Sequence, residues 1–226
     1  MRQIFLDTET TGLYPAQGHR MIEVAAVEMI NRRPTKNHFH YYLNPEREID
    51  LAALEVHGIS LEFLQDKPKF GAIAQELLDF ISGAELIIHN APFDLGFLNS
   101  ELDRIGLMPI ETICANITDT LKMAKQSRPG QRNNLDALCK HFGINNAKRT
   151  LHGALLDAEL LAEVYMAMTR GQDSLMMDLS QSQPLMTTHL LEKTDRKVNV
   201  LKASELEILE HEAYIKGLAK SGAKMW

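Results

Sequence analysis

The 226-residue sequence predicts an α/β fold built in layers. Two observations carry that expectation. Short apolar runs of buried-strand length alternate with segments whose apolar residues recur at helical spacing. The first three runs also follow one another across polar turns, the pattern of an antiparallel meander.

Ile4-Phe5-Leu6 reads as a buried strand that ends in Asp7-Thr8-Glu9-Thr10-Thr11-Gly12. A second strand covers 22–29. The polar turn Asn31-Arg32-Arg33-Pro34 then leads to a third over 39–43. Ile73, Leu77, Phe80 and Ile81 share one face of a helix over about 70–82. Leu86-Ile87-Ile88 returns as a buried strand, and Asn90-Ala91-Pro92 opens a helix carrying Phe93, Phe97 and Leu98. Asn133 or Asn134 caps a helix through Leu135, Leu138 and Cys139 that stops near Gly143. Residues 153–169, rich in Ala, Leu and Met, favour helix strongly.

Composition changes at Gly171, so residues 1–171 form the main domain. Residues 172–197 are rich in Gln, Ser, Thr, Met and Asp without a period, and read as a flexible linker. In the last segment, 198–226, Val198 and Val200 alternate with polar residues. Ser204-Glu205-Leu206-Glu207 then forms a capping box ahead of Leu206, Leu209, Ala213, Tyr214, Ile215 and Leu218. A helix of that length is not stable alone, so it packs on the main domain or on another protein.

The chain carries 24 Lys+Arg against 30 Asp+Glu, a net charge of −6, which excludes a protein that coats nucleic acid by bulk charge. The charge is unevenly spread. Lys122, Lys125, Arg128, Arg132, Lys140, Lys148 and Arg149 face a single acid, Asp136, within 122–149. Such asymmetry fits a basic surface beside an acidic pocket, and equally the solvated faces of two helices. Two cysteines, Cys114 and Cys139, are too few for a disulfide scaffold or a four-Cys zinc site. No apolar run approaches the ~18 residues of a membrane span, and the opening residues are too short for a signal-peptide core. The expected location is the cytoplasm, with no membrane partner.

Chemistry concentrates in a few residues. Asp7 and Glu9 stand two apart, so on a strand both carboxylates point the same way. Crowded acids at a strand end persist when a divalent cation neutralises them, and hard oxygen ligands suit Mg²⁺ or Mn²⁺. Taken alone, the pair is also what surface acids look like. Asp94 follows a buried strand and sits near a helix start, where α/β proteins place functional groups. It is also a placement that the helix dipole alone favours. Asp157 lies in the first turns of an otherwise apolar helix and needs a partner, because burying an unpaired charge is costly. His152, five residues earlier, lies in the preceding loop. Four acids and one histidine make a two-metal hydrolase set, in which neutral imidazole accepts the proton of an attacking water.

Asp7-x-Glu9-Thr10-Thr11-Gly12, His89-Asn90-Ala91-x-Phe93-Asp94 and His152-x-x-x-x-Asp157, in this order, resemble the DEDDh family of 3′→5′ exonucleases. Four further stretches resemble the proofreading epsilon subunits of bacterial DNA polymerase III. These are Ile22-Glu23-Val24-Ala25-Ala26-Val27-Glu28, Val56-His57-Gly58-Ile59, the run from Arg132 to Cys139 and the run from Lys148 to Ala158. The resemblance covers the first ~170 residues strongly and the tail loosely.

The resemblance implies an RNase H-like fold, a mixed five-stranded sheet with helices on both faces. It implies that Asp7, Glu9 and Asp157 hold one divalent cation, that Asp7 bridges to a second, and that Asp94 supports the second through water. His152 would be the general base. Asp7, Glu9, Asp157 and His57, in a loop at Val56-His57, would hold the 3′-terminal nucleotide. Thr10, Leu13 or Phe93 would wedge or stack the final base. Where the resembled subunits often carry an acid, five residues before His57, this chain has Ala52. The basic segment 122–149 would track a frayed single strand of DNA.

In the tail, Gln172-Asp173-Ser174-Leu175-Met176-Met177 is similar to peptides that dock into sliding clamps, with Gln172, Leu175 and Met177 as the contacts. Residues 198–226, ending in Trp226, would bind the catalytic (alpha) subunit of the polymerase, and a small theta-like subunit would be a further partner. The implied location is the replisome at the nucleoid. Two other readings compete: a scaffold subunit without catalysis, and a stand-alone RNA-trimming exonuclease.

Overall fold

A computed structural model of the protein describes residues 1–170, apart from 115, 148 and 150, and residues 203–220. One sheet organises the main domain. Its strands are β1 (Arg2–Thr10), β2 (Met21–Ile30), β3 (Arg33–Tyr42), β4 (Glu85–Ile88) and β5 (Ile117–Asp119), in the order β3-β2-β1-β4-β5. The first three pair antiparallel, and β1–β4 and β4–β5 pair parallel. The helices are α1 (Leu51–His57), α2 (Leu61–Leu64), α3 (Phe70–Ile81), α4 (Ala91–Arg104), α5 (Thr120–Ser127), α6 (Leu135–Phe142), α7 (Ala154–Met168) and, in a separate unit, α8 (Glu205–Lys220). No helix among the described residues is long and apolar enough to cross a membrane.

Strand parity divides the core. Ile4 and Leu6 pack with Val24, Leu86 and Ile88 against α3 and α4, through Ile73, Leu77, Phe97 and Leu102. Phe5 points the other way and packs with Met29 and Ile87 against α5, α6 and α7, through Ala124, Leu138, Cys139 and Val164. Ile4, Phe5 and Leu6 are fully buried, and each such side chain contributes roughly 1.5–3 kcal/mol of transfer free energy. The central strand β1 is thus fixed on both faces. The mixed sheet with flanking helices is the architecture that the sequence resemblance implies.

Several boundaries differ from expectation. β1 begins before its apolar run, at Arg2, and carries Asp7 and Glu9 on its last residues as expected, where β2 pairs Asp7 with Ala25 and Glu9 with Glu23. The backbone of both acids therefore sits within a hydrogen-bonded ladder. β3 begins at Arg33, before its apolar run; an edge strand can be largely exposed and polar. Val56 and His57 are not in a loop. They end α1, which Gly58 closes in the left-handed conformation at φ 69°. α1, α2 and the three-residue β5 are too short to show a period.

The expected helices over 70–82, 135–143 and 153–169 appear as α3, α6 and α7. Asn134, not Asn133, caps α6, accepting from the Ala137 amide at 3.0 Å. The capping box at the start of α8 is formed. The Ser204 amide donates to Glu207 Oε2 at 2.8 Å, and the Glu207 amide donates to Ser204 Oγ at 3.3 Å. The linker 172–197, the clamp-binding peptide 172–177, Val198, Val200 and Trp226 lie outside the described residues.

Candidate active site

The parity that splits the core also distributes the acids. Asp7 and Glu9 share the face of Phe5 and so look toward α7. Thr8 shares the face of Leu6 and looks toward α4. From α4, Asp94 meets Thr8, whose hydroxyl donates to Asp94 Oδ1 at 2.7 Å. Asn90, at the junction of β4 and α4, adopts the left-handed conformation at φ 68°, which Asn tolerates better than most residues. That sharp turn brings the first turn of α4 to the carboxyl end of β1. Gly153 precedes α7, and Asp157 in its first turn is buried.

Asp7, Glu9, Asp94, His152 and Asp157 line a single cleft of about 430 Å³. His152 Nδ1 lies 3.4 Å from Asp157 Oδ2, so the loop does carry the histidine over the acids despite the five-residue separation. Glu9, His152 and Asp157 offer ligand atoms within 4.8 Å of one another.

The carboxylates strain against one another. Burial, together with the charges of Asp94, Glu9 and Asp157, holds the carboxyl of Asp7 well above its ordinary range. Burial and the neighbouring acids Asp157, Glu23 and Asp94 push Glu9 up to about 8. Burial lifts Asp94 to about 7 against the hydrogen bond from Thr8. A cluster of buried oxygen ligands with raised proton affinities is short of positive charge. Its donor set, all hard oxygen plus one imidazole, fits a hard divalent cation.

A second pocket, about 340 Å³, adjoins the cleft and is lined by Glu9, Thr10, Leu13, Ala52, His57 and Phe93, among others. The residues expected to meet a terminal base, Thr10, Leu13 and Phe93, are thus all present, and so is His57. The His57 ring is buried. Its Nδ1 accepts the Ile59 amide at 3.0 Å, which assigns the proton to Nε2, and Nε2 has the Thr10 carbonyl beside it without a well-formed hydrogen bond among the described residues. Burial lowers the proton affinity of this ring. Ala52 leaves its part of the wall apolar, although Asp50, the residue before α1, also lines the pocket. Beneath the pocket, Gly12 touches His19 so closely that a Cβ would lie 2.3 Å from the ring.

Cleft and pocket are tied together. The His152 amide donates to the Val56 carbonyl at 3.1 Å. Leu151 lies over Gly58, where a Cβ would come within 2.6 Å of its Cδ1. The backbone that carries His152 is therefore docked on the end of α1, which carries His57.

Two residues of the site were not anticipated as such. Glu23, buried on β2, accepts from His40 Nε2 at 2.7 Å and from the Ala154 amide at 3.1 Å, and so anchors the start of α7. Its signal was a single acid inside the apolar run Ile22-Glu23-Val24-Ala25-Ala26. Arg149 is the other. Expected on a basic surface, its side chain is only 6% exposed and is clamped among Asp157, His152 and Asp136. Burial among acids, invisible in a charge count, separates it from the surface lysines. Lys122 and Lys125 do remain at the surface, around a shallow pocket with Asn90 and Asp119. Gln172, Leu175 and Met177 lie outside the described residues.

Comparison with known proteins agrees with this geometry. The exonuclease family model matches residues 4–165. The chain is 48% identical over 225 residues to the DNA polymerase III subunit epsilon of Rickettsia felis, covering 98% of each. It is 47% identical to that of Escherichia coli, covering 100% of this chain and 97% of the relative. The nuclease domain of 3′hExo, a DEDDh family member bound to rAMP, shares the fold at a TM-score of 0.65 and 18% identity, over 75% of this chain and 92% of that one. The chain belongs to the exonuclease family and, within it, to the epsilon subunits of bacterial DNA polymerase III, metal-dependent proofreading 3′→5′ exonucleases.

Proposed function

We propose that the cleft removes the 3′-terminal nucleotide of single-stranded or frayed DNA as a nucleoside 5′-monophosphate, using two divalent cations, Mg²⁺ or Mn²⁺. The observation that carries this reading is the convergence of Asp7, Glu9, Asp94, His152 and Asp157 on one cleft beside an apolar pocket. Asp7, Glu9 and Asp157 would hold one cation, and Asp7 with Asp94 would serve the second. When bound, the cations supply charge stabilisation for the attacking and leaving oxygens of the phosphodiester.

The protein's own groups do the rest. His152, with a side chain 43% exposed, is open to solvent on one side and takes the proton of the attacking water. The adjoining pocket seats the terminal nucleoside, with Leu13 and Phe93 against the base and the His57 Nε2–H directed to a polar atom of the nucleotide. Selection of mispaired ends then follows from fraying, because the pocket takes an unpaired terminus and reads no base edge. Exposed Leu206, Leu209 and Tyr214 on α8 support docking of the tail on the alpha subunit of the polymerase. A sliding clamp bound through Gln172, Leu175 and Met177, a theta-like subunit, and residence in the nucleoid replisome complete the reading.

The test is incubation of the full-length protein with 5′-labelled single-stranded DNA and Mg²⁺. A ladder that shortens from the 3′ end, and is lost with EDTA and in His152→Ala, is the expected result. No shortening by folded protein, with Mn²⁺ also supplied, would favour the scaffold reading. A matched RNA strand in the same assay addresses the RNA-trimming alternative.

A further inference from the structure

We propose that Arg149 is a positioning residue that stands in for a divalent cation in the metal-free protein and competes with the metal for Asp157. This inference rests on the reading of the acid cleft as a metal site.

The Arg149 side chain reaches three groups at once. Its Nε and Nη2 donate to the two oxygens of Asp157 at 2.5 and 2.6 Å, a bidentate clamp. Nη2 also lies 2.7 Å from Nδ1 of His152. Nη1 lies 2.7 Å from Oδ1 of Asp136. The contacts to Asp157 and His152 coincide with the one group of three metal-ligating side chains found among the described residues, Glu9, His152 and Asp157. A guanidinium holding both oxygens of Asp157 directs its positive charge at the place where a cation would use them. Two positive charges on one buried carboxylate repel, so the two occupants exclude each other.

The second anchor makes the exchange possible. Asp136 sits on α6, half exposed in the lining of the same cleft, and is held by Asn146 Nδ2 at 3.0 Å; it is not one of the three grouped ligands Glu9, His152 and Asp157. Arg149 can release Asp157 and keep its contact with Asp136. Release also removes Nη2 from Nδ1 of His152. One displacement therefore opens both the metal ligand and the ring nitrogen of the base. In the absence of metal, the same guanidinium offsets the repulsion among the buried acids.

The test is nuclear magnetic resonance of the full-length, ¹⁵N-labelled protein, following the Arg149 Nε–Hε signal assigned through its own side-chain carbons. In EDTA this proton is expected to exchange slowly with water. Saturating Mg²⁺ should shift the signal and speed its exchange. In parallel, calorimetric titration should show Mg²⁺ binding about tenfold tighter in Arg149→Lys. That change keeps the charge but loses the fork, at a cost on the scale of one charge-assisted hydrogen bond. If Mg²⁺ binds but leaves the Hε signal and its exchange unchanged, Arg149 is a fixed strut and the proposal is overturned. If neither Mg²⁺ nor Mn²⁺ binds the wild-type protein, the metal-site reading fails and takes this inference with it.

Discussion

The acid cleft and the pocket beside it share Glu9, Leu13 and Phe93, yet they are built in opposite ways. The cleft crowds buried acids around one guanidinium, Arg149, and the carboxyls of Asp7, Glu9 and Asp94 are driven toward protonation by burial and by neighbouring acids. The pocket is lined largely by apolar and backbone surface, with exposed Leu13 and Val56 at its rim and a single buried ring, His57, offering a donor. One region is high in energy until its ligand arrives; the other is close to an ordinary protein surface. Substitutions should therefore act differently in each. In the cleft they trade activity against metal-free stability. In the pocket they change affinity with little effect on either.

The largest effect is expected for Asp7→Asn, which should abolish hydrolysis in the single-strand ladder assay while leaving the circular dichroism spectrum unchanged. His152→Ala follows, with kcat down about 10²–10⁴-fold, the usual worth of a general base. An intact rate would remove it from the mechanism.

Next comes the link between the two regions. Gly58→Ala forces a side chain at φ 69° into Leu151 and should shift the His152 backbone, lowering kcat about ten- to a hundredfold with little change in KM. Adding Leu151→Ala should recover part of that loss, since the clash is with Leu151 itself. Purely additive effects in this double-mutant cycle would show that the two sites are not coupled through this contact. The smallest effect is expected for His57→Ala, a rise of about tenfold in KM for single-stranded DNA at nearly constant kcat.

A pH series sharpens the contrast. Glu9 at about 8 and Asp94 at about 7 lie above their unfolded values of 4.5 and 3.8. Groups raised on folding stabilise fully below the unfolded values, and that contribution is lost as pH rises through the folded ones. Metal-free protein should thus lose melting temperature as pH climbs from about 5 to about 9. Saturating Mg²⁺ should flatten the slope, because the bound cation replaces the protons. An equally steep slope with metal bound would locate the titration outside the cleft.

Much of the cleft was legible in the sequence because its residues obey simple periodicities. Asp7 and Glu9 share a face by strand parity, and Asp94 and Asp157 fall in the first turns of helices whose starts are marked by Asn90-Ala91-Pro92 and Gly153. The order and spacing of the three motifs tied them together. Other parts were not legible. α1 runs only seven residues, too few to display an apolar face, so the sequence puts His57 in a loop. A charge count puts Arg149 on the surface because sequence gives charge without depth. A basic residue among Lys140, Lys148 and Arg132 reads as surface until Asp157 and Asp136 are seen to enclose it.

The most direct test of the account is calorimetric unfolding of wild-type protein and Asp7→Asn, each in EDTA and in saturating Mg²⁺. Relief of like-charge repulsion predicts that Asp7→Asn melts higher than wild type in EDTA and gains little from Mg²⁺, whereas wild type gains substantially. A lower melting temperature for Asp7→Asn in EDTA, or no gain for wild type on adding Mg²⁺, would contradict the claim that the cleft crowds like charges that a cation relieves.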